Sequence, residues 1–141
     1  MRITRLTGAR RVFSGLYARE PTRNAAEVLR ADRPKRLVAV MKRDLSRGDS
    51  VPLFRKGIER SAGRGAAAIR GEIDAFARWF PTLREGNWFA VNFTPSDGVV
   101  VSAMGKPELF RGSVQFGTAL FGMWLGPGAD DAGLRASLLN P

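Results

Sequence analysis

The amino-acid sequence predicts an α+β domain in which a curved antiparallel sheet carries its helices on one face. Several short segments alternate apolar and polar residues between turn residues, as strands do. Longer segments repeat their apolar residues at helical spacing. Three of the strand patterns follow one another through short turns, which is typical of an antiparallel meander.

Length and composition are those of a single domain, which we place over residues 1–141. Apolar residues make up 44% of the chain and charged residues 26%, close to the averages for soluble domains. We therefore expect one packed hydrophobic core.

Two strands and one short helix are predicted near the N-terminus. Residues Arg10–Ala18 are rich in residues that favour strands. Asn24 is a good N-cap for a helix over Ala25–Asp32. The apolar run with basic flanks in Lys35–Arg43 then predicts a buried strand.

A pair of helices is predicted next. Ser50 is the expected N-cap of the first, with Pro52 tolerated in its first turn. Gly63-Arg64-Gly65 interrupts the pattern, and Ala66–Phe80 has the clearest helical periodicity. Its apolar face consists of Ile69, Ile73, Phe76 and Phe80.

The meander comprises strands over Trp88–Pro95, Val99–Met104 and Leu109–Arg111. Ser96-Asp97-Gly98 predicts the first hairpin turn and Gly105-Lys106-Pro107 the second. Two helices follow. Val114–Leu125 is apolar nearly all round, which indicates a buried helix, and Asp131–Leu139 is shorter.

Several kinds of chemistry are excluded by composition. The chain contains neither cysteine nor histidine. Disulfides, zinc sites built on those residues and catalysis by a histidine base are therefore impossible. Acidic residues do not cluster as a metal site requires, so we expect neither a metal nor a cofactor.

Positive charge is concentrated in the first half of the chain. Residues 1–64 carry 17 Lys and Arg against 6 acids, and the net charge of the whole chain is +10. The cations are scattered, and aromatic residues do not alternate with them as in a base-stacking surface. We therefore expect no specific binding of nucleic acid.

The sequence contains no apolar run of the roughly 20 residues that a membrane-spanning helix needs. The arginines near Met1 are not followed by the apolar segment of a signal peptide. The sequence as given predicts a cytoplasmic protein, and a start codon further upstream would change that prediction to the periplasm.

Several short motifs occur in an order that resembles one known family. The motifs are Gly15-Leu16-Tyr17, Pro34-Lys35-Arg36-Leu37, Lys42-Arg43-Asp44-Leu45-Ser46, Trp79-Phe80-Pro81, Glu85-Gly86-Asn87, Phe121-Gly122-Met123-Trp124-Leu125-Gly126 and Leu134 to Leu139. Over residues 10–139 their spacing resembles that of the bacterial chalcone isomerase-like family. The resemblance implies an open-faced β-sandwich.

The resemblance also implies that the catalytic residues of the plant enzyme are missing. That enzyme lines its cleft with hydrogen-bonding side chains that stabilise developing negative charge. Aligned by local motif, five of these positions fall on Val12, Met41, Leu53, Arg60 and Met123. Only Arg60 retains a useful donor, so the resemblance implies a mostly apolar cleft.

The family's cleft arginine has two possible counterparts here. Spacing favours Arg5, whereas the string Gly8-Ala9-Arg10 favours Arg10. Family members usually have a further strand before this point, so we expect that an N-terminal edge strand is missing from this chain.

Three functions follow as hypotheses. The first is a non-catalytic protein whose cleft, with Arg5, Arg10 or Arg60, binds a small amphipathic carboxylate such as a fatty acid. The second is an interaction domain without a small ligand. The third is an isomerase or intramolecular lyase of the chalcone isomerase type. Met41, Leu53 and Met123 could line a lipid pocket or fill the core.

Overall fold

A computed structural model of the chain describes residues 2–8, 12–18, 24–103 and 106–126. Side chains are described for residues 24, 26–103 and 110–126. Arg10 and the predicted helix over Asp131–Leu139 lie outside the described residues.

Within the described residues the sheet has six antiparallel strands, and their spatial order follows the chain from first to last. The strands are β1 Arg2–Gly8, β2 Val12–Ala18, β3 Lys35–Met41, β4 Trp88–Thr94, β5 Gly98–Ala103 and β6 Lys106–Gly112. This arrangement, with helices on one face, confirms the predicted α+β class. The single-domain boundaries and the missing N-terminal strand stay predictions.

The described helices lie in two connections between strands and after the last strand. Helix α1, Ala25–Val28, lies between β2 and β3. Between β3 and β4 the chain forms α2, Arg47–Ala62, a 3₁₀ helix over Gly63–Ile69, and α3, Arg70–Trp79. Helix α4, Val114–Leu125, follows β6 with the bounds expected from sequence.

Strand β1 was not predicted, and β6 begins three residues earlier than its apolar pattern suggests. Both strands lie at the edges of the sheet, so each pairs with one neighbouring strand only. Pro107 belongs to β6, and an edge strand tolerates a residue without an N–H group. The predicted turn over Gly105-Lys106-Pro107 is therefore wrong for Lys106 and Pro107, which belong to the strand.

The start of α2 also differs from the prediction. Ser46 is the N-cap, because its hydroxyl accepts a hydrogen bond of 3.2 Å from the amide of Asp49. Ser50, the predicted cap, lies buried inside the first turn. Pro52 is thereby moved into the interior of the helix. Two capping residues four positions apart satisfy the same sequence rule, and packing decided between them.

The other two predicted helices are shorter or less regular than expected. Helix α1 ends at Val28 and does not extend to Asp32. The segment predicted as one helix over Ala66–Phe80 begins as the 3₁₀ helix and becomes α-helical only at Arg70. Gly63, at a φ of 56°, ends α2 at the interruption expected from its glycines.

The core lies between the sheet and the helices. Alternate residues of β3, β4 and β5 face it, as do rings from all three longer helices. Phe54 on α2 contacts Phe76 and Phe80, with ring centroids 5.4 Å and 4.5 Å apart. Aromatic contacts of this kind add to the stabilisation that burial alone provides.

Polar side chains hold the ends of the helices together. The carboxylate of Glu72 on α3 accepts hydrogen bonds from the amide and hydroxyl of Ser113, at 2.7 and 2.8 Å. Ser113 is in turn the N-cap of α4, accepting from the amide of Phe116 at 3.1 Å. The guanidinium of Arg47 donates to carbonyls at the end of α3. These contacts set the positions of α2, α3 and α4 relative to one another.

Helix α4 packs against the sheet through a glycine. A Cβ atom on Gly117 would lie 2.6 Å from Cδ2 of Phe93 and 3.1 Å from Cβ of Val99. The absence of a side chain at this position therefore allows the helix axis to approach β4 and β5 closely. By contrast, a Cβ on Gly71, an exposed residue of α3, would have no described atom within 4 Å.

We predict that Gly117→Ala and Gly71→Ala have opposite effects. Gly71→Ala should stabilise the protein by about 0.5–1 kcal/mol, because alanine favours the helix and nothing obstructs its methyl group. Gly117→Ala should destabilise it by about 1–3 kcal/mol through overpacking. Urea denaturation followed by circular dichroism measures both, and equal effects would contradict this packing.

Candidate functional site

A groove of about 640 Å³ lies between α2, α4 and the segment that follows α1. Gly57, Arg60 and Ser61 line it from α2. Leu29 and Ala31 form its rim on the other side. The volume is within the range of about 300–1,000 Å³ that is usual for small-molecule sites.

Small residues bring the two helical walls of the groove together. A Cβ atom on Gly57 would overlap the Met123 side chain, and one on Gly122 would overlap Ser61. The helices therefore touch at these two points. Beside this contact, α4 presents a continuous wall of residues to the groove: Val114, Gln115, Thr118, Ala119, Gly122 and Met123.

The chemistry of the groove is apolar with one positive charge. Six of its lining residues are aliphatic or thioether side chains: Leu29, Ala31, Ala62, Val114, Ala119 and Met123. Ser61, Gln115 and Thr118 supply uncharged polar groups, and Thr118 donates to the carbonyl of Val114 at 3.0 Å. Among the lining residues that the structure describes, only Arg60 is charged. The groove therefore matches a molecule with an apolar body and an anionic end.

Two of the residues predicted from sequence meet in this groove, namely Arg60 and Met123. Met41 is buried on the inner face of β3, where it belongs to the core. Leu53 is 43% exposed on α2, one turn before Gly57, and it does not line the groove.

Of the remaining predicted site residues, Val12 and Arg5 lie in the first two strands, and Arg10 is outside the described residues. Val12 pairs with Met41 across β2 and β3. Arg5 lies in β1 opposite Leu16. The side chains of Val12 and Arg5 are outside the described part of the structure. A role in ligand binding stays a prediction for all seven residues: Arg5, Arg10, Val12, Met41, Leu53, Arg60 and Met123.

Sequence reasoning missed most of the lining residues. Gly57 and Gly122 were the available signal, because glycine inside a helix is unfavourable unless another element approaches closely. Ser61 and Thr118 gave no such signal. Their role depends on two helices that are distant in the chain.

The part of the chain that the structure describes contains neither a membrane-spanning helix nor a cluster of metal ligands. None of the helices there has the length and apolarity needed to cross a bilayer. In the same part of the chain, acidic side chains do not form a group of three that could hold a metal ion.

We predict that Met123→Thr is a mild substitution. The side chain of Met123 lines the groove and is half-buried, so a hydroxyl placed there can contact water. We expect a loss of at most about 1 kcal/mol. Phe116→Ala, which removes a fully buried ring from the same helix, should lose about 3–5 kcal/mol. Denaturation of both variants provides the measurement, and equal losses would mean that Met123 fills closed core.

Comparisons with known proteins agree with this architecture. The structure resembles a crystal structure of a fatty-acid binding protein from Arabidopsis thaliana, with a TM-score of 0.72 and 12% sequence identity. The similarity covers 96% of this chain and 82% of the other. A search of curated proteins found no matching relative. The sequence model of the chalcone isomerase-like family matches residues 10–140, and this chain therefore belongs to the chalcone isomerase-like family.

Proposed function

We propose that this protein binds a small amphipathic carboxylate, such as a fatty acid, in the groove between α2 and α4, without transforming it. The observation that carries the proposal is the lining of the groove, where Arg60 is the charged residue among aliphatic walls. A guanidinium can bind a carboxylate through two parallel hydrogen bonds.

The rest of the groove suits the apolar part of such a ligand. From Arg60, the tail would run along Ala62, Ala119 and Met123. Burial of apolar area provides about 25 cal/mol per Å². Met123 is well suited to such a wall, because its flexible thioether adapts to chains of varied shape.

The comparison structure supports the same class of ligand. The Arabidopsis protein with this fold is described as a fatty-acid binding protein. At 12% identity the likeness establishes the fold. The ligand class is supported by the separate finding that the groove of this chain is apolar and cationic.

Binding without catalysis is supported by the residues aligned with the catalytic positions of the plant enzyme. Met41 and Met123 have no hydrogen atom to donate to an enolate or phenolate oxygen. Met41 is also enclosed in the core, away from the groove. A cyclisation that depends on such donors would lose about 10²–10³ in rate for each one removed.

We predict that Arg60→Gln weakens the binding of dodecanoate about tenfold or more, because a hydrogen bond to a charged group contributes about 1.5–3 kcal/mol. Isothermal titration calorimetry below the critical micelle concentration measures the dissociation constant. Arg84→Gln is the matched control, because Arg84 is also exposed but does not line the groove.

Dodecanol serves as the matched ligand, since it has the same tail without the carboxylate. It should bind the original protein more weakly than dodecanoate and be insensitive to Arg60→Gln. If dodecanoate produced no binding heat, the proposal would fail and the interaction-domain hypothesis would be favoured. If Arg60→Gln and Arg84→Gln changed the dissociation constant equally, Arg60 would not be a ligand-binding residue.

We also predict that the protein does not isomerise chalcones. A hydroxychalcone should lose its visible absorbance at the spontaneous rate, with or without the protein, because the oxyanion donors are replaced. The product should be racemic flavanone when analysed by chiral chromatography. An excess of one enantiomer would demonstrate catalysis and overturn this part of the proposal.

A further inference from the structure

Lys35, the first residue of β3, has a side chain that is fully buried. Its ammonium group donates hydrogen bonds to the backbone carbonyls of Arg30 and Arg33, at 3.1 and 3.0 Å. The nitrogen lies 4.1 Å from the ring centroid of Phe93 and 5.6 Å from that of Phe121. The charge is thus enclosed by two carbonyl oxygens and two aromatic faces.

Such an arrangement constrains the segment that provides the carbonyls. Burying an ammonium group is unfavourable unless its hydrogens are bonded. Two of its three donors are satisfied by residues 30 and 33, so the chain must fold inward there to keep those carbonyls close. The faces of Phe93 and Phe121 add a cation–π attraction to the ammonium group.

The same segment forms the rim of the groove. Leu29 and Ala31, on either side of Arg30, line the groove. Phe121 belongs to α4, the helix that forms the opposite wall. The ammonium group of Lys35 therefore links the rim to the sheet and to α4 at one end of the groove.

We propose that Lys35 is a positioning residue for this groove, and that its charge holds residues 29–33 where Leu29 and Ala31 complete the binding surface. The inference deepens the proposed function and rests on it for the choice of ligand. Lys35 itself does not line the groove, and it acts on the ligand only through the rim.

The charge on Lys35 is sensitive to pH in an accessible range. Burial lowers the pKa of the amine from 10.5 to about 8, while the nearby carboxylate of Asp32 opposes that change. The other charged groups on this segment are Arg30, which is paired with Asp32 at 2.8 Å, and Arg33. The neighbours from β4 and α4 are the uncharged rings of Phe93 and Phe121.

Raising the pH should therefore have two opposite effects. Between about pH 8 and 10.5 the unfolded chain binds more protons at this site than the folded one, so global stability rises with pH. The neutral amine, however, loses one donor and its charge, so the rim is held less tightly. If Lys35 had a purely structural role, raising the pH would increase global stability without weakening ligand binding.

The test compares the original protein with Lys35→Met and Lys35→Arg. Hydrogen–deuterium exchange at one pH reports on residues 29–33, with α4 as the internal reference. Calorimetry with dodecanoate at pH 7 and pH 9.5 reports on the groove. Denaturation midpoints at the same two pH values report on global stability, and circular dichroism verifies that each variant is folded.

For the original protein we expect affinity to fall about three- to tenfold from pH 7 to pH 9.5 while the denaturation midpoint rises. Lys35→Met should exchange faster at residues 29–33 and bind roughly tenfold more weakly at pH 7, because two charge-assisted hydrogen bonds are lost. Its affinity should not change with pH. Lys35→Arg retains the charge, so it should restore affinity at pH 7 and remove the pH dependence.

The outcomes separate this inference from the proposed function. If Lys35→Met kept the original exchange at residues 29–33 and the original affinity, the inference would be overturned while dodecanoate binding stood. If the original protein bound no dodecanoate but Lys35→Met still exchanged faster at the rim, the proposed function would fail and the positioning of the rim by Lys35 would be supported. If Lys35→Arg does not fold, Lys35→Met alone tests both the exchange at residues 29–33 and the affinity for dodecanoate.

Discussion

The close approach of α4 to two neighbours at once determines the rest of this structure. On one side Gly117 lets the helix rest against Phe93 and Val99 of the sheet. On the other side Gly57 and Gly122 allow contact with α2 through Met123 and Ser61. The helix is therefore held between two layers, and larger residues at these glycines would separate them. The core rings and the groove both depend on that spacing.

The groove is a consequence of how these helices meet. The four residues at the contact, Gly57, Ser61, Gly122 and Met123, also line the groove, which continues beside them along α4. An open groove keeps its shape only where its walls are rigid. The capped start of α4, with Ser113 bonded to Glu72, provides part of that rigidity.

Two cations have opposite environments in this part of the fold. Arg60 is exposed at the groove, where a guanidinium can meet a ligand. Lys35 is enclosed, and its hydrogens are directed to the chain's own carbonyls. In the proposed binding mode, Arg60 contacts the carboxylate of the ligand and Lys35 maintains the shape of the groove. The same fold can host catalysis or binding, and the residues in the groove make the difference.

Local periodicity was sufficient to predict the strands β3 to β5, helix α4 and the α+β class, because each depends on residues a few positions apart. The sequence predicted a serine N-cap for α2 but not which serine, because Ser46 and Ser50 satisfy the same local rule. Strand β1 depends on a neighbour for its pairing and could not be predicted from its own residues.

Of the predicted site residues, the structure brought Arg60 and Met123 together at the groove and placed Met41 in the core. Only tertiary packing decides such outcomes, because the groove and the burial of Lys35 arise from segments that are distant in the chain and adjacent in space.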